Sequence, residues 1–248
     1  MILHGNCLDR MDELDKRTVH LCITSPPYNV DLGNNKFNKD AYDIYDDALS
    51  HKKYIQFLSD VFEKVYRLLT KDGRLCINIG DGKNGQVPTI HDLRVALFEI
   101  GYKPLGHIIW NKKHTGNRTA WGSFMSPSCP SFPTPFEHIL LFYKKEKKLQ
   151  REGETDLKKE EFIEWATSMW EFKPETNKMH PAAFPIELPY RLIKMLSYIG
   201  DKVLDPFSGS GTTLVAAKRL KRKYCGIELS SDYIKLAKRR LKTELSLF

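Results

Sequence analysis

Lys202-Val203-Leu204-Asp205-Pro206-Phe207-Ser208-Gly209-Ser210-Gly211-Thr212-Thr213 reads as a short apolar strand that breaks into a glycine loop. A helix over Leu214 to Leu220, a second strand over Tyr224 to Ile227 and the acidic Glu228 complete the unit. Strand, tight loop, helix, strand and acid in this order make a nucleoside-binding βαβ unit, whose glycines let a ligand approach the backbone and whose acid can hold ribose hydroxyls. The loop lacks the Gly-Lys-Ser/Thr of a phosphate-binding loop and the third glycine of a dinucleotide fingerprint, which points to a nucleoside without a pyrophosphate.

Working outward, the remaining chain alternates in the same way. Strands are expected at Met1 to His4, Val19 to Ile23, Arg74 to Ile79, Leu105 to Trp110 and Phe136 to Tyr143. Helices are expected at Lys52 to Leu69, where Asp72-Gly73 closes the segment, at Thr89 to Ile100, at Leu188 to Tyr198 and at the basic C-terminus. Such alternation predicts an α/β fold, a Rossmann-like, mostly parallel sheet with helices on both faces. Residues 111 to 135 break the pattern, and a charged insertion to about Glu164 and the stretch Trp165 to Pro185 show few regular features.

A second motif lies far upstream. The strand Val19-His20-Leu21-Cys22-Ile23 runs into Thr24-Ser25-Pro26-Pro27-Tyr28, and two prolines cannot continue a central strand, so the chain leaves the sheet there. Ser25 to Tyr28 thus falls at a strand's carboxyl end, the edge at which open α/β sheets bind ligands.

The two motifs together resemble those of the DNA amino-methyltransferases, whose catalytic signature is Ser/Asp/Asn-Pro-Pro-Tyr/Phe and whose cofactor motif is similar to Asp-Pro-Phe-x-Gly-x-Gly-Thr-Thr. With the catalytic motif first, the chain resembles the circularly permuted β group and its class I methyltransferase fold, and nearly the whole chain is covered. His180-Pro181-Ala182-Ala183-Phe184-Pro185, followed by Leu188 and Arg191, resembles the family's entry to a cofactor-proximal helix. Gly5-Asn6-Cys7 is similar to its N-terminal Gly-Asp-Cys, with Asn6 in place of the aspartate.

The resemblance implies S-adenosyl-L-methionine as cofactor, bound by Asn6, Cys7, His180, Phe184, Asp205, Phe207, Ser208, Gly209, Gly211, Thr212, Thr213, Glu228 and Leu229. Trp170 and Phe172 are further candidates to wall its adenine. It also implies one methyltransferase domain over 1–248, with a catalytic half at 1–110, a small inserted target-recognition region at about 111–179 and a cofactor half at 180–248.

An exocyclic amine is a poor nucleophile because its lone pair is delocalised into the ring. Ser25, Pro26, Pro27 and Tyr28 are expected to answer that problem: the Ser25 hydroxyl and the Pro26 carbonyl are the expected acceptors of the amine's N–H groups, and a Pro-Pro corner can aim them with little entropy loss. Tyr28 is placed to stack on a base flipped out of a DNA duplex. Family members with serine at this position commonly methylate cytosine N4, the expected target. Both cytosine and adenine present an N–H2 donor beside a ring nitrogen, so adenine N6 stands as the alternative.

Lys112, Lys113, Asn117, Arg118 and Trp121 are the candidates for contact with double-stranded DNA, and Trp121-Gly122-Ser123-Phe124 is similar to a segment of serine-type members. The family's habit implies a restriction-modification system with a cognate restriction endonuclease, and a small recognition region is compatible with a homodimer.

Composition is consistent with this reading. The 248 residues carry a formal charge of +8, which suits a polyanionic partner, although runs such as Lys144 to Lys148 and Lys218 to Lys223 read more simply as solvated faces. With 41% hydrophobic and 11% aromatic residues the chain has the composition of a globular protein, not a disordered one. No run approaches the roughly 18 apolar residues of a membrane span, and the N-terminus lacks the order of a signal peptide, so a cytoplasmic location without membrane attachment is expected. The five scattered cysteines show no metal-ligand spacing and are expected to be reduced and mostly buried. Two other classes remain: a glutamine-amide methyltransferase, whose Asn-Pro-Pro-Tyr motif follows its cofactor motif instead of preceding it, and a nucleic-acid-binding protein that kept the fold without activity.

Overall fold

The computed structural model describes residues 1–29, 49–82, 85–113, 122–132, 134–174 and 184–243. Its elements are β1 (Ile2–His4), α1 (Cys7–Asp12), β2 (Val19–Thr24), α2 (His51–Leu68), β3 (Leu69–Ile79), α3 (Thr89–Ile100), β4 (Lys103–Asn111) and β5 (Phe136–Tyr143). Then follow α4 (Lys159–Trp165), β6 (Met169–Glu171), α5 (Glu187–Leu196), β7 (Lys202–Asp205), α6 (Thr212–Arg219), β8 (Lys223–Glu228) and α7 (Ser231–Thr243). The strands form one sheet in the order β1-β8-β7-β2-β3-β5-β4-β6. All neighbours run parallel except around β5, which is antiparallel to both β3 and β4.

Alternation along the strands builds a core on each face. Cys22, Leu75 and Ile77 pack with α1, α2 and α3, while Leu21, Ile23 and Cys76 pack on the opposite side with α5 and α6. Helix α2 shows the sequence logic. Tyr54, Leu58, Val61, Phe62, Val65 and Leu68 recur at helical spacing and are all buried, which is on the order of 10 kcal/mol of apolar transfer. β7 and β2 are neighbours, Leu21 facing Val203 and Cys22 facing Leu204. To one side of this pair the sheet continues to β8 and β1, and to the other side to β3. The cleft where the strand order reverses therefore opens between the ends of β7 and β2.

Four expectations need correction. Asp72-Gly73 does not separate a helix from a strand but lies inside β3, which starts directly after α2. The pairing jumps from Val19–Leu69 to Leu21–Arg74, so residues 70–73 bulge out. A Cβ on Gly73 would meet Leu69 Cβ at 2.9 Å, while Asp72 is held by Thr70, Gln150 and Arg151. Second, the segment from Lys159 to Glu171 holds α4 and the edge strand β6, which pairs with β4. Third, Lys144 is buried in place of being solvated. Its ammonium donates to the Leu69 carbonyl at 2.8 Å and lies over the Tyr66 ring, and burial lowers its pKa to about 8. Fourth, Arg222 is buried within the Lys218 to Lys223 run, where it pairs with Asp156 and donates to the Ser197 carbonyl.

Candidate active site

The glycine loop opens where β7 ends. Asp205 is 2% exposed, and its carboxylate accepts from Thr24 Oγ1 at 2.7 Å, Thr213 Oγ1 at 2.7 Å and Phe207 N at 3.1 Å. Burial pushes this carboxyl up to about 6, against the lowering effect of those hydrogen bonds, and nearby Glu228 adds to the rise. Gly211 caps α6 at φ 82°, and a Cβ there would lie 2.8 Å from Ala237 Cβ, so the loop needs glycine for both conformation and space. Glu228, half-buried at the end of β8, accepts Gly209 N and Ser230 N at 2.8 Å each, one on each oxygen. That fixes the carboxylate and leaves further lone pairs for hydroxyl donors.

The Ser25-Pro26-Pro27-Tyr28 corner adjoins this loop. Thr24, which bonds Asp205, precedes Ser25, so the ends of β2 and β7 are tied together. Tyr54 of α2 donates to the Pro27 carbonyl at 2.9 Å, and Asn29 exchanges two hydrogen bonds with the Leu49 backbone. Ser25 Oγ lies 3.1 Å from Tyr28 OH, and Tyr28 OH lies 3.0 Å from Glu137 Oε2. Asn78 Nδ2 reaches Glu137 Oε2 at 2.6 Å and Tyr28 OH at 3.3 Å, and Lys112 Nζ bonds Glu137 Oε1. Burial, followed by the Glu137 charge, raises the Tyr28 phenol well above its ordinary pKa.

Of the other sequence candidates, Phe207 packs against Phe57 at 6.0 Å and Ser208 donates to the Ile227 carbonyl, so both belong to the loop's frame. Thr212 receives Arg240, while the Thr213 hydroxyl is engaged by Asp205, so it buttresses the loop from behind. Asn6 caps α1 through Leu8 N at 2.9 Å. Cys7 is buried, which pushes its thiol up to about 12. The Leu229 carbonyl is hydrogen-bonded to His4, and Phe184 is 9% exposed against the second core. His180, Asn117, Arg118 and Trp121 lie outside the described residues.

Trp170 cannot offer its ring to a cofactor: it is 1% exposed in edge strand β6, with its indole N–H on the Trp165 carbonyl. Phe172 stacks on Trp110 at 5.2 Å, in the same cluster. Lys112 is drawn toward the Ser25-to-Tyr28 corner by Glu137 and lies over Trp110, whereas exposed Lys113 pairs with Glu171 at 3.0 Å. Sequence reasoning missed Thr24, Asn78 and Glu137. The available signal was a polar residue in an apolar strand, as in Leu75-Cys76-Ile77-Asn78-Ile79 and Phe136-Glu137-His138-Ile139.

Residues 19–239 match the DNA methylase family model for N6 and N4 enzymes. The chain belongs to this DNA methylase family. The type II methyltransferase M.MjaI of Methanocaldococcus jannaschii is 34% identical over 90% of this chain and 85% of its own. M.MjaVI of the same organism is 39% identical over 67% of this chain and 82% of its own. A Thermus thermophilus protein assigned as a DNA modification methylase, solved in complex with S-adenosyl-L-methionine, is 31% identical with a TM-score of 0.77, covering 100% of this chain and 95% of that one. The cytosine-N4-specific PvuII methyltransferase, at 18% identity and a TM-score of 0.73, shares the fold.

This DNA methylase thus has a class I methyltransferase fold and uses S-adenosyl-L-methionine. Its loop fits that cofactor chemically. The half-buried Glu228 carboxylate and the glycine-loop backbone meet at the sheet's switch point, with Asp205 buried beneath them, a setting that suits a cationic, phosphate-free nucleoside with ribose hydroxyls to donate and disfavours a phosphate. Four of the five cysteines are buried and Cys129 is exposed. Among the described residues no helix is long and apolar enough to cross a membrane and no cluster could hold a metal ion.

Proposed function

We propose that this DNA methylase transfers a methyl group to the N4 amine of a cytosine flipped out of double-stranded DNA, with Ser25-Pro26-Pro27-Tyr28 as the catalytic corner. The observation that carries this is the tie from Thr24 to Asp205, which joins the Ser25 corner to the cofactor loop at the sheet's switch point. Glu228 takes the ribose hydroxyls of S-adenosyl-L-methionine, and Asp205, Phe207, Ser208, Gly209, Gly211, Thr212 and Thr213 form or support the loop beneath it; Asn6, Cys7, His180, Phe184 and Leu229 are the further proposed cofactor-binding residues. When bound, the cofactor supplies an electrophilic sulfonium methyl: the N–C bond forms as the S–C bond breaks, the neutral thioether leaves, and the methylated amine sheds one N–H proton to water.

Ser25 Oγ and the Pro26 carbonyl accept the amine's N–H groups, so its lone pair is localised and aimed. Proximity and alignment do most of the work, without a covalent enzyme adduct. The base is Ser25's inference: serine in this motif favours cytosine over adenine. Motif order, with Ser25 far ahead of Asp205, supports membership of the permuted β group.

Within residues 111–179, the stretch 111–135 that precedes the inner strand β5 is the proposed target-recognition segment, with Lys113, Asn117, Arg118 and Trp121 as its candidate DNA contacts. Relatives named as type II methyltransferases support a role in restriction-modification; a cognate endonuclease as partner, a cytoplasmic location and a homodimer as working form complete the proposed reading. Incubation with S-adenosyl-L-methionine and mixed-sequence duplex, followed by nucleoside mass spectrometry, tests the reading. N4-methylcytosine is expected, and N6-methyladenine would overturn the assignment of the base.

A further inference from the structure

Glu137 has no counterpart in the two motifs, yet it organises the corner between them. It lies on β5, with its side chain 13% exposed, and accepts from Tyr28, Asn78 and Lys112. Its partners make the polarity of the chain unambiguous. A carboxylate only accepts, so the single Tyr28 proton goes to Glu137. Asn78 donates to the Tyr28 oxygen as well. The 3.1 Å contact between Ser25 and Tyr28 is then a hydrogen bond only if Ser25 donates. The one proton of Ser25 is thereby directed inward, and its lone pairs are left for a ligand.

We propose that Glu137 is a positioning residue for methyl transfer: through Tyr28 it sets the Ser25 hydroxyl as an acceptor toward the target amine. The proposal rests on the reading of Ser25 as the amine's acceptor. Lys112 holds Glu137 in place from the other oxygen, so an ion pair between the residue just past β4 and a residue of β5 determines the direction of a hydroxyl just past β2. No proton leaves or enters the chain in this role.

Glu137→Gln weakens the arrangement in either orientation of its amide. With its oxygen toward Tyr28 and Asn78 the polarity survives, but the acceptor is neutral and its N–H2 group faces the Lys112 ammonium, so the acceptor is no longer held in place. With its nitrogen toward Tyr28, the phenol must accept and turn its own proton toward Ser25, which then presents a donor to the amine.

The test compares wild type, Glu137→Gln, Tyr28→Phe and the double variant with S-adenosyl-L-methionine and duplex DNA, measuring kcat, KM for DNA, cofactor Kd and the unfolding temperature. Glu137→Gln is expected to lower kcat on the order of 10- to 100-fold, the worth of a hydrogen bond to a charged group, with KM and Kd within about twofold. Because both changes cut one chain, the double variant should be no slower than the slower single. Turnover within twofold of wild type for Glu137→Gln, or multiplicative losses in the double variant, would overturn the proposal. Should Glu137→Gln not fold, Tyr28→Phe alone decides, since an unimpaired kcat there excludes the chain. If the wild-type chain methylates no base, the Ser25 reading itself fails and this role with it; an active wild type with an unimpaired Glu137→Gln removes Glu137's role alone.

Discussion

Replacing Asp205 by asparagine should make the protein more stable at neutral pH. The carboxyl is almost fully buried and its pKa rises from 3.8 to about 6, so the native state binds this proton more tightly than the unfolded chain does. Stability linked to Asp205 is therefore complete below pH 3.8 and is lost as pH rises through about 6. The shift converts to about 3 kcal/mol. Asparagine has nearly the same shape and does not titrate. Its oxygen can accept from Thr24 and Phe207 N, and the Thr213 hydroxyl can rotate to accept from its N–H2 group.

Urea unfolding at a series of pH values between about 4 and 8 measures the difference. The stability of Asp205→Asn relative to wild type should grow by about 2 kcal/mol across that range, while its cofactor affinity falls. A difference that is flat with pH, or that grows toward acid, would refute the argument that the fold spends stability on a buried carboxylate at its cofactor loop.

Glu228→Gln should weaken S-adenosyl-L-methionine binding on the order of 10-fold, since the amide must turn an N–H2 group toward Gly209 N or Ser230 N; calorimetry giving an unchanged Kd would count against the ribose contact. In the native protein a thiol reagent should modify Cys129 alone, with Cys7, Cys22, Cys76 and Cys225 reacting only after unfolding. Mass spectrometry finding two or more labelled cysteines before unfolding would contradict the packing.

The sheet was legible because its strands announce both faces. Cys22 goes one way and Leu21 and Ile23 the other, and such alternation survives in sequence. Asp72-Gly73 misled because the same pair that ends a helix can also serve a bulge, and the choice depends on Arg151 and Gln150 from a distant segment. β6 is three residues long, too short to carry a period. Lys144 and Arg222 read as solvated because their partners, Leu69 and Asp156, are 75 and 66 positions away.

The site divides in the same way. Asp205, Gly211 and Glu228 are local to one βαβ unit and could be read from it. Thr24 meets Asp205 across 181 positions and Tyr28 meets Glu137 across 109, so only the folded sheet brings them together.

The central claim is that the Ser25 hydroxyl prepares the target amine for direct transfer. Single-turnover methylation by Ser25→Ala, with cofactor affinity measured in parallel, tests it most directly. The account predicts an S-adenosyl-L-methionine Kd within about twofold of wild type and a transfer rate lower by on the order of 100-fold, as expected for loss of one aligned acceptor. A transfer rate equal to wild type at saturating cofactor and DNA would contradict it.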